Sequence, residues 1–217
     1  MKAFRSMLDL LYPPKCAFCH RLLRGETVGI CRKCREALPR TGAFAVRTDI
    51  RHIDRCAAPL FYEKTVRDSL HRYKFSQCVG YAGIYAELVL KCIDENQISC
   101  DSITWVPVSR RRLRLRGYDQ SRLLAEEIAK KRGLPCVKTL EKVRHNRQQS
   151  LIRDPKARRE NVKGVYRCDE PEAVRGKRLL LIDDIVTTGA TLSECAKILC
   201  EAGAASVSAA AVARRRD

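Results

Sequence analysis

The spacing of apolar positions changes period repeatedly along the chain. Residues 56–63 (CAAPLFYE) form a short, largely apolar run, as a buried strand does. Residues 66–75 and 80–93 carry apolar side chains three and four apart, which predicts two amphipathic helices. Residues 102–109 (SITWVPVS) are rich in β-branched and aromatic side chains and predict a strand. Residues 119–133 predict a helix, with Leu123, Leu124, Ile128 and Ala129 on one face and Gly133 at its C-cap. Residues 136–143 alternate like a strand, residues 144–161 are polar without a hydrophobic period, and residues 163–168 suit a strand that pairs back. The unbroken apolar run in 177–184 (KRLLLIDD) is expected of a strand covered on both faces in a parallel sheet. A helix over 191–203 turns Leu192, Cys195, Ala196 and Leu199 inward, and 206–213 is a last strand. This alternation predicts an α/β fold with a doubly wound, mainly parallel sheet.

The first 55 residues do not follow that rhythm. Residues 3–12 place Phe4, Met7, Leu8 and Leu11 on one side of a short helix that Pro13 and Pro14 end. Cys16, Cys19, Cys31 and Cys34 then make C-x2-C-x11-C-x2-C, two knuckles able to aim four thiolates at one tetrahedral Zn²⁺. Four ligands leave no open position, so such a zinc is structural. Gly25 and Gly29 suit the turn between the knuckles. A redox C-x2-C pair or free thiols are the alternatives, and His20 is a possible substitute ligand. The expected organisation is a helix plus a four-cysteine zinc segment over 1–55 and the α/β domain over 56–217. The other eight cysteines read as small core residues. No apolar run approaches the ~20 residues of a membrane span. No signal-peptide pattern opens the chain, so a cytoplasmic protein is expected.

Charge adds a class of partner. The 43 Lys and Arg outnumber the 25 Asp and Glu for a net +18, and residues 109–163 hold 18 of the bases against 6 of the acids. Such an excess favours phosphates, nucleic acid or an anionic surface. Its densest part is Arg110, Arg111, Arg112, Arg114 and Arg116. Arg214 to Arg216 read as a solvated tail.

The chemistry concentrates in LLLIDDIVTTGAT, residues 179–191. Asp183 and Asp184 stand at the carboxyl end of a predicted parallel strand, where open α/β sheets bind ligands. Thr187, Thr188, Gly189, Ala190 and Thr191 lead into the next helix, whose N-terminal N–H groups and dipole attract anions. Carboxylates repel phosphate but accept from hydroxyls. A phosphate loop beside a diol-accepting pair describes a site for ribose 5-phosphate. Neither G-x-x-x-x-G-K-[ST] nor G-x-G-x-x-G occurs in the chain.

These thirteen residues resemble the phosphoribosyl pyrophosphate (PRPP) motif of type I phosphoribosyltransferases. LLYPPKCAFC, the paired C-x2-C, YKF, VPVSRRRLRLRGYDQS and RQQSLIRDPKARRENVKGVY together resemble the competence protein ComF family over nearly the whole chain. One departure is that Tyr118-Asp119-Gln120 stands where the family usually has Phe-Asn before the Gln. The resemblance implies that Asp183 and Asp184 are catalytic, holding the ribose hydroxyls and stabilising positive charge on the ring. It implies that residues 187–191 take the 5-phosphate and that Ser109, Arg110 and Arg111 meet the pyrophosphate with Mg²⁺. Residues 144–161, with Gln148, Gln149, Arg158, Arg159 and Asn161, correspond to a loop that closes over substrate. Lys74 of YKF is expected near the cleft, and the zinc segment or residues 40–60 are expected to cover the acceptor side. Two functions follow. One is Mg²⁺-dependent phosphoribosyl transfer between PRPP and a nitrogen nucleophile. The other is a non-catalytic competence factor that binds single-stranded DNA through Arg112, Arg114, Arg116, Arg158 and Arg159, with a helicase or recombination protein as partner.

Overall fold

The computed structural model describes residues 13–23, 29–144 and 154–216, apart from the side chains of Pro155, Lys156, Arg158 and Arg159. The expected helix over 3–12, the turn at Gly25, Gln148 and Gln149, and the side chains of Arg158 and Arg159 lie outside the described residues. The strands are β1 Val46–Arg47, β2 Cys56–Ala57, β3 Leu60–Phe61, β4 Ser102–Trp105, β5 Leu140–Lys142, β6 Tyr166–Cys168, β7 Arg178–Val186 and β8 Ser206–Arg214. The helices are α1 Arg32–Ala37, α2 Lys64–Phe75, α3 Tyr81–Glu95, α4 Arg110–Arg116, α5 Gln120–Arg132, α6 Pro155–Val162, α7 Pro171–Val174 and α8 Ala190–Glu201.

The main sheet runs β1-β2-β8-β7-β4, with β3 also on β8. Its pairings are parallel except for the antiparallel β1–β2 edge. The apolar run in β7 works as two interleaved faces, because successive side chains of a strand point oppositely. Leu180 and Ile182 join Ile103, Val89, Tyr85, Leu124 and Ile128 under α3 and α5. Leu179 and Leu181 join Val207, Ala209, Leu192, Cys195 and Leu199 under α8. The sheet is therefore doubly wound, as the sequence predicts. No helix among the described residues is long and apolar enough to cross a membrane.

Several boundaries differ from expectation, each for a local reason. The strand expected over 56–63 divides at Pro59, which has no N–H to give, and both halves pair with β8. The strand expected over 102–109 stops at Trp105, two residues before Pro107. That over 136–143 contracts to Leu140–Lys142, with one isolated parallel bridge from Cys136 to Ile103. β7 continues past the expected end at 184 to Val186, so both aspartates lie within the strand. The polar stretch 144–161 contains most of α6. The arginine run is helix α4, not a loop: Ser109 Oγ accepts from Arg112 N (3.3 Å) at one end, and Gly117 at φ 80° closes the other. Arg and Leu are good helix formers, so the turn suits them. Arg214 is no solvated tail residue. It belongs to β8, is buried and donates to Phe44 O at 2.9 Å.

The cysteine knuckles dock on α2 and α3. The four Sγ atoms lie within 4.8 Å of one another. Cys19 Sγ and Cys31 Sγ are 3.7 Å apart, against the ~3.8 Å that tetrahedral zinc with 2.3 Å bonds requires. Desolvation pushes the Cys16 thiol up, but backbone N–H groups of Cys19, Cys31 and Phe18 outweigh it and bring it down to about 7. That favours a thiolate at Cys16, whereas burial holds the Cys34 thiol well above the ordinary range, so a metal entering the cluster displaces a proton there. Phe18 packs edge-on against Tyr85 at 6.1 Å. The Ser69 hydroxyl donates to Ala17 O (2.5 Å), and Arg72 donates to Phe18 O (2.6 Å). Gly29 adopts φ +95°, and a Cβ there would stand 2.7 Å from Ile84.

We expect purified protein to contain one zinc per chain by elemental analysis, and Cys16→Ser with Cys34→Ser to abolish it. Stripping the metal with a chelator should lower the melting temperature of the whole chain, because the knuckles share a core with α2 and α3. Metal-free protein with an unchanged melting curve would reject a structural zinc.

Candidate functional site

A cleft of about 430 Å³ opens at the carboxyl ends of β4 and β7. Its floor is the stretch Asp183–Leu192, and its walls come from α2, the 106–108 loop, α4 and the β5–β6 hairpin.

The loop 187–191 turns β7 into α8. Gly189 is the N-cap, at φ 75°, and a Cβ on it would sit 2.8 Å from Ile50 Cδ1. Only glycine fits both the left-handed backbone and the close approach. Thr188 Oγ1 accepts from Ala190 N at 3.4 Å. The first N–H groups of a helix have no acceptor within it, and the first turn of α8, Ala190 to Leu192, lines the cleft. Arg47 braces the turn from outside, donating to Thr187 O (2.8 Å) while holding Asp49 at 2.9 and 2.5 Å. That contact keeps the Asp49 carboxyl below the ordinary range. Residues 40–60 thus reach the 187–191 turn.

The two aspartates are held differently. Asp183 Oδ1 accepts from Ser121 Oγ (3.1 Å) and from the N–H of Asp184 (2.8 Å). Burial, and then the charge of Asp184, push the Asp183 carboxyl up to about 7. Asp184 Oδ2 meets Lys74 Nζ at 2.5 Å. Lys74 of YKF therefore lies in the cleft, as the counter-ion of one acid.

The departure at Asp119 has a structural account. Its Oδ1 accepts from Arg122 N at 3.2 Å as the N-cap of α5, and its Oδ2 accepts from Val108 N at 2.9 Å. Both oxygens are used as acceptors, so a carboxylate ties α5 to the 106–108 loop in a way one amide oxygen would not. Burial raises its pKa. Next to it, Gln120 is 1 % exposed and lines the cleft, and its Nε2 has no partner among the described residues.

The arginine helix sorts its members by face. Arg112 and Arg116, one turn apart, line the cleft. Arg116 lies over the Phe75 ring at 4.7 Å, and burial lowers its pKa. Arg110 reaches Glu141 at 2.8 Å, and Arg111 and Arg114 are exposed away from the cleft. Ser109 is buried, with its hydroxyl capping the helix. Among the expected pyrophosphate residues, Arg110 and Arg111 thus do not line the cleft, whereas Arg112 and Arg116, expected on a nucleic-acid track, do.

Sequence reasoning missed Lys142, Tyr166, Ser121, Gln120 and Arg47. Ser121 and Gln120 could have been suspected from the helix start at Asp119, because first-turn residues face whatever the helix points at. Lys142 and Arg47 sit in short strands whose register nothing local declares.

The sequence matches a family profile described as phosphoribosyl transferase domain over residues 119–217 and one described as double zinc ribbon domain over residues 7–47. It is 30 % identical over 223 residues to DNA utilization protein YhgH of Salmonella typhimurium, covering 91 % of this chain and 96 % of that protein. It is 30 % identical over 116 residues to Competence protein F of Haemophilus influenzae, covering 52 % of this chain and 50 % of that protein. A solved structure of glutamine PRPP amidotransferase from B. subtilis aligns at TM-score 0.39 and 23 % identity, over 64 % of this chain and 26 % of that one.

The raised Asp183 pKa has a sign that stability can read. Between the ordinary carboxylate value near 4 and about 7, the folded chain holds a proton that the unfolded chain has lost. Asp183 therefore contributes stability at low pH that disappears as pH rises to 7. Asp183→Asn should raise the melting temperature at pH 8 and change it far less at pH 5. Equal shifts at both values would contradict the proton-holding state of Asp183.

Proposed function

Because the chain belongs to the family of DNA utilization protein YhgH and Competence protein F, with a phosphoribosyltransferase domain and a zinc ribbon, we propose that its cleft binds PRPP or a related phosphoribosyl ligand in DNA uptake or nucleotide-linked DNA metabolism. The observation that carries this reading is the juxtaposition on one strand–loop–helix unit of a glycine-capped loop at a helix N-terminus and two part-buried aspartates. The loop takes the 5-phosphate, through N–H groups at the α8 terminus and the hydroxyls of Thr187, Thr188 and Thr191. Asp183 and Asp184 accept from the ribose hydroxyls. The charge of Asp184, joined by that of Asp183 once it ionises above about 7, lies where positive charge develops on the ring as the bond at C1 lengthens. The reaction is transfer of the phosphoribosyl group to a nitrogen nucleophile, or its reverse.

Magnesium suits this chemistry by neutralising a pyrophosphate leaving group. The aspartates offer oxygens of the kind it takes, but Lys74 already holds Asp184. The ion would therefore enter on the ligand's own phosphates. Zinc, in contrast, has a complete set of ligands in Cys16, Cys19, Cys31 and Cys34.

Calorimetry tests the ligand. Wild-type protein should bind PRPP, and Asp183→Asn with Asp184→Asn should weaken binding by roughly 2–4 kcal/mol, since each charge-assisted bond contributes about 1.5–3 kcal/mol. Unchanged affinity in a folded double variant would remove the acid pair from the site. Pyrophosphate release from PRPP, with candidate bases as acceptors, then distinguishes catalysis from binding.

A second reading is favoured by the exposure of Arg111 and Arg114 on the far side of α4 from the cleft. Here the fold serves as a sensor or scaffold, and this outer face holds single-stranded DNA. Each phosphate contact contributes about 0.7 to the slope of log affinity against log salt. Arg111→Gln with Arg114→Gln should flatten that slope by roughly 1.4 while PRPP binding survives. A slope that does not move would take this face off the DNA surface.

A further inference from the structure

A groove of about 340 Å³ lies outside the cleft, between the first cysteine knuckle and the turn that joins α2 to α3. It shares no lining residue with the cleft. Lys15 and His20 line it from the knuckle, and Cys78, Gly80 and Tyr81 line it from the domain. None of the described residues along it is acidic. Neither Lys15 nor His20 has a side-chain hydrogen bond or ion pair among the described residues.

Tyr81 is the group left unsatisfied. It is 8 % exposed, and its hydroxyl is buried with no hydrogen-bond partner among the described residues. Arg72 of α2 lies beside that hydroxyl, and its Nε is likewise buried without a partner among them. Arg72 is held there, because its guanidinium donates to Ala17 O and Phe18 O at 3.1 and 2.6 Å. Pairing Nε with the hydroxyl oxygen would still leave the hydroxyl proton without an acceptor. Cys78, the other near group, gives its own thiol proton to Ser76 O at 3.5 Å, and sulfur accepts weakly. Buried polar groups of native proteins are paired, so an orphan beside an open groove calls for a group that enters it.

The surroundings set the charge of that group. Burial first, and then the charges of Lys15 and Arg72, lower the His20 pKa, so both cations are felt across the groove. The 15-residue α3 also starts here, with Gly80 as an N-cap that offers no side chain and no acid in its first turn. The positive end of its dipole is therefore unopposed. Its first two amides already donate to Cys78 O and Val79 O, both at 3.0 Å, so direct donors must come from side chains. We propose that this groove is an anion site outside the cleft, holding one phosphate group between Lys15 and His20 of the knuckle and Tyr81 and Arg72 of the domain. A phosphate carries oxygens on all sides and can accept from both segments at once, whereas a carboxylate presents two oxygens in one plane. Bound there, it ties the knuckle to α2 and α3.

Titration of the full chain with inorganic phosphate, read through backbone amide resonances, tests the site. Wild type should shift His20, Gly80 and Tyr81 together. Tyr81→Phe should weaken that binding about tenfold, as the loss of one hydrogen bond to a charged group does. Its ligand-free melting temperature should hold or rise, because the variant deletes an unpaired buried hydroxyl. Lys15→Met should weaken phosphate binding too and leave the melting temperature unchanged. The proposal is overturned if the three amides do not move, if both variants bind phosphate as wild type does, or if Tyr81→Phe lowers the melting temperature without changing affinity. Shifts that follow those of Gly189 and Ala190 in every variant would place the phosphate in the cleft alone and overturn it as well. A short oligothymidylate titrated in the same way identifies the source. Shifts at the same three amides at lower concentration than phosphate mark a strand phosphate, and none there marks a free one; both uphold the site.

Discussion

Two adjacent carboxylates within a buried parallel strand are the constraint the rest of the structure answers. Like charges this close, partly withdrawn from water, are tolerated only with compensating partners. Asp184 gets Lys74 from α2. Asp183 gets Ser121 from α5 and its neighbour's backbone N–H, and still retains a proton near neutrality. Both partners come from helices that share one core, on the Leu180 and Ile182 face of the sheet. Asp119 fixes the start of α5 against the 106–108 loop, and Tyr73 of α2 donates to Gln120 O at 2.8 Å, so the two helices are locked to each other beside the acids.

The knuckle segment extends that logic. Ala17 and Phe18 are gripped by Ser69 and Arg72 on α2, the helix that carries Lys74 one turn further on. Further along the same N-terminal segment, Arg47 and Ile50 press on the 187–191 loop. A segment with too little core of its own therefore serves as a brace on two sides of the cleft. Binding free energy of a metal there is spent on positioning α2 as well as on folding the knuckles.

The parts legible in the sequence were those written in local period or spacing. β7 and α8 announce themselves by an apolar run, a glycine and an amphipathic face, and Cys16, Cys19, Cys31 and Cys34 by their intervals. The doubly wound sheet followed from alternation. Less legible was anything set by register or by which way a short helix faces. The arginine run has no apolar period to orient it, so only the packed structure separates Arg112 and Arg116 from Arg111 and Arg114. Lys142 faces the cleft because β5 pairs antiparallel with β6, a contact 24 residues distant in sequence. Arg214 looked like part of a charged tail because the strand that buries it is recognised only by its alanines and valines.

The central claim is that the α8 terminus and the paired aspartates act together as one phosphoribosyl site. Backbone amide resonances followed during titration with ribose 5-phosphate test it most directly. The account predicts the largest shifts at the amides of Gly189 to Leu192, with smaller concerted shifts at Asp183 and Asp184, all saturating at one ligand concentration. Shifts confined to the arginine-rich surface, or separate saturation for the loop and the aspartates, would contradict it.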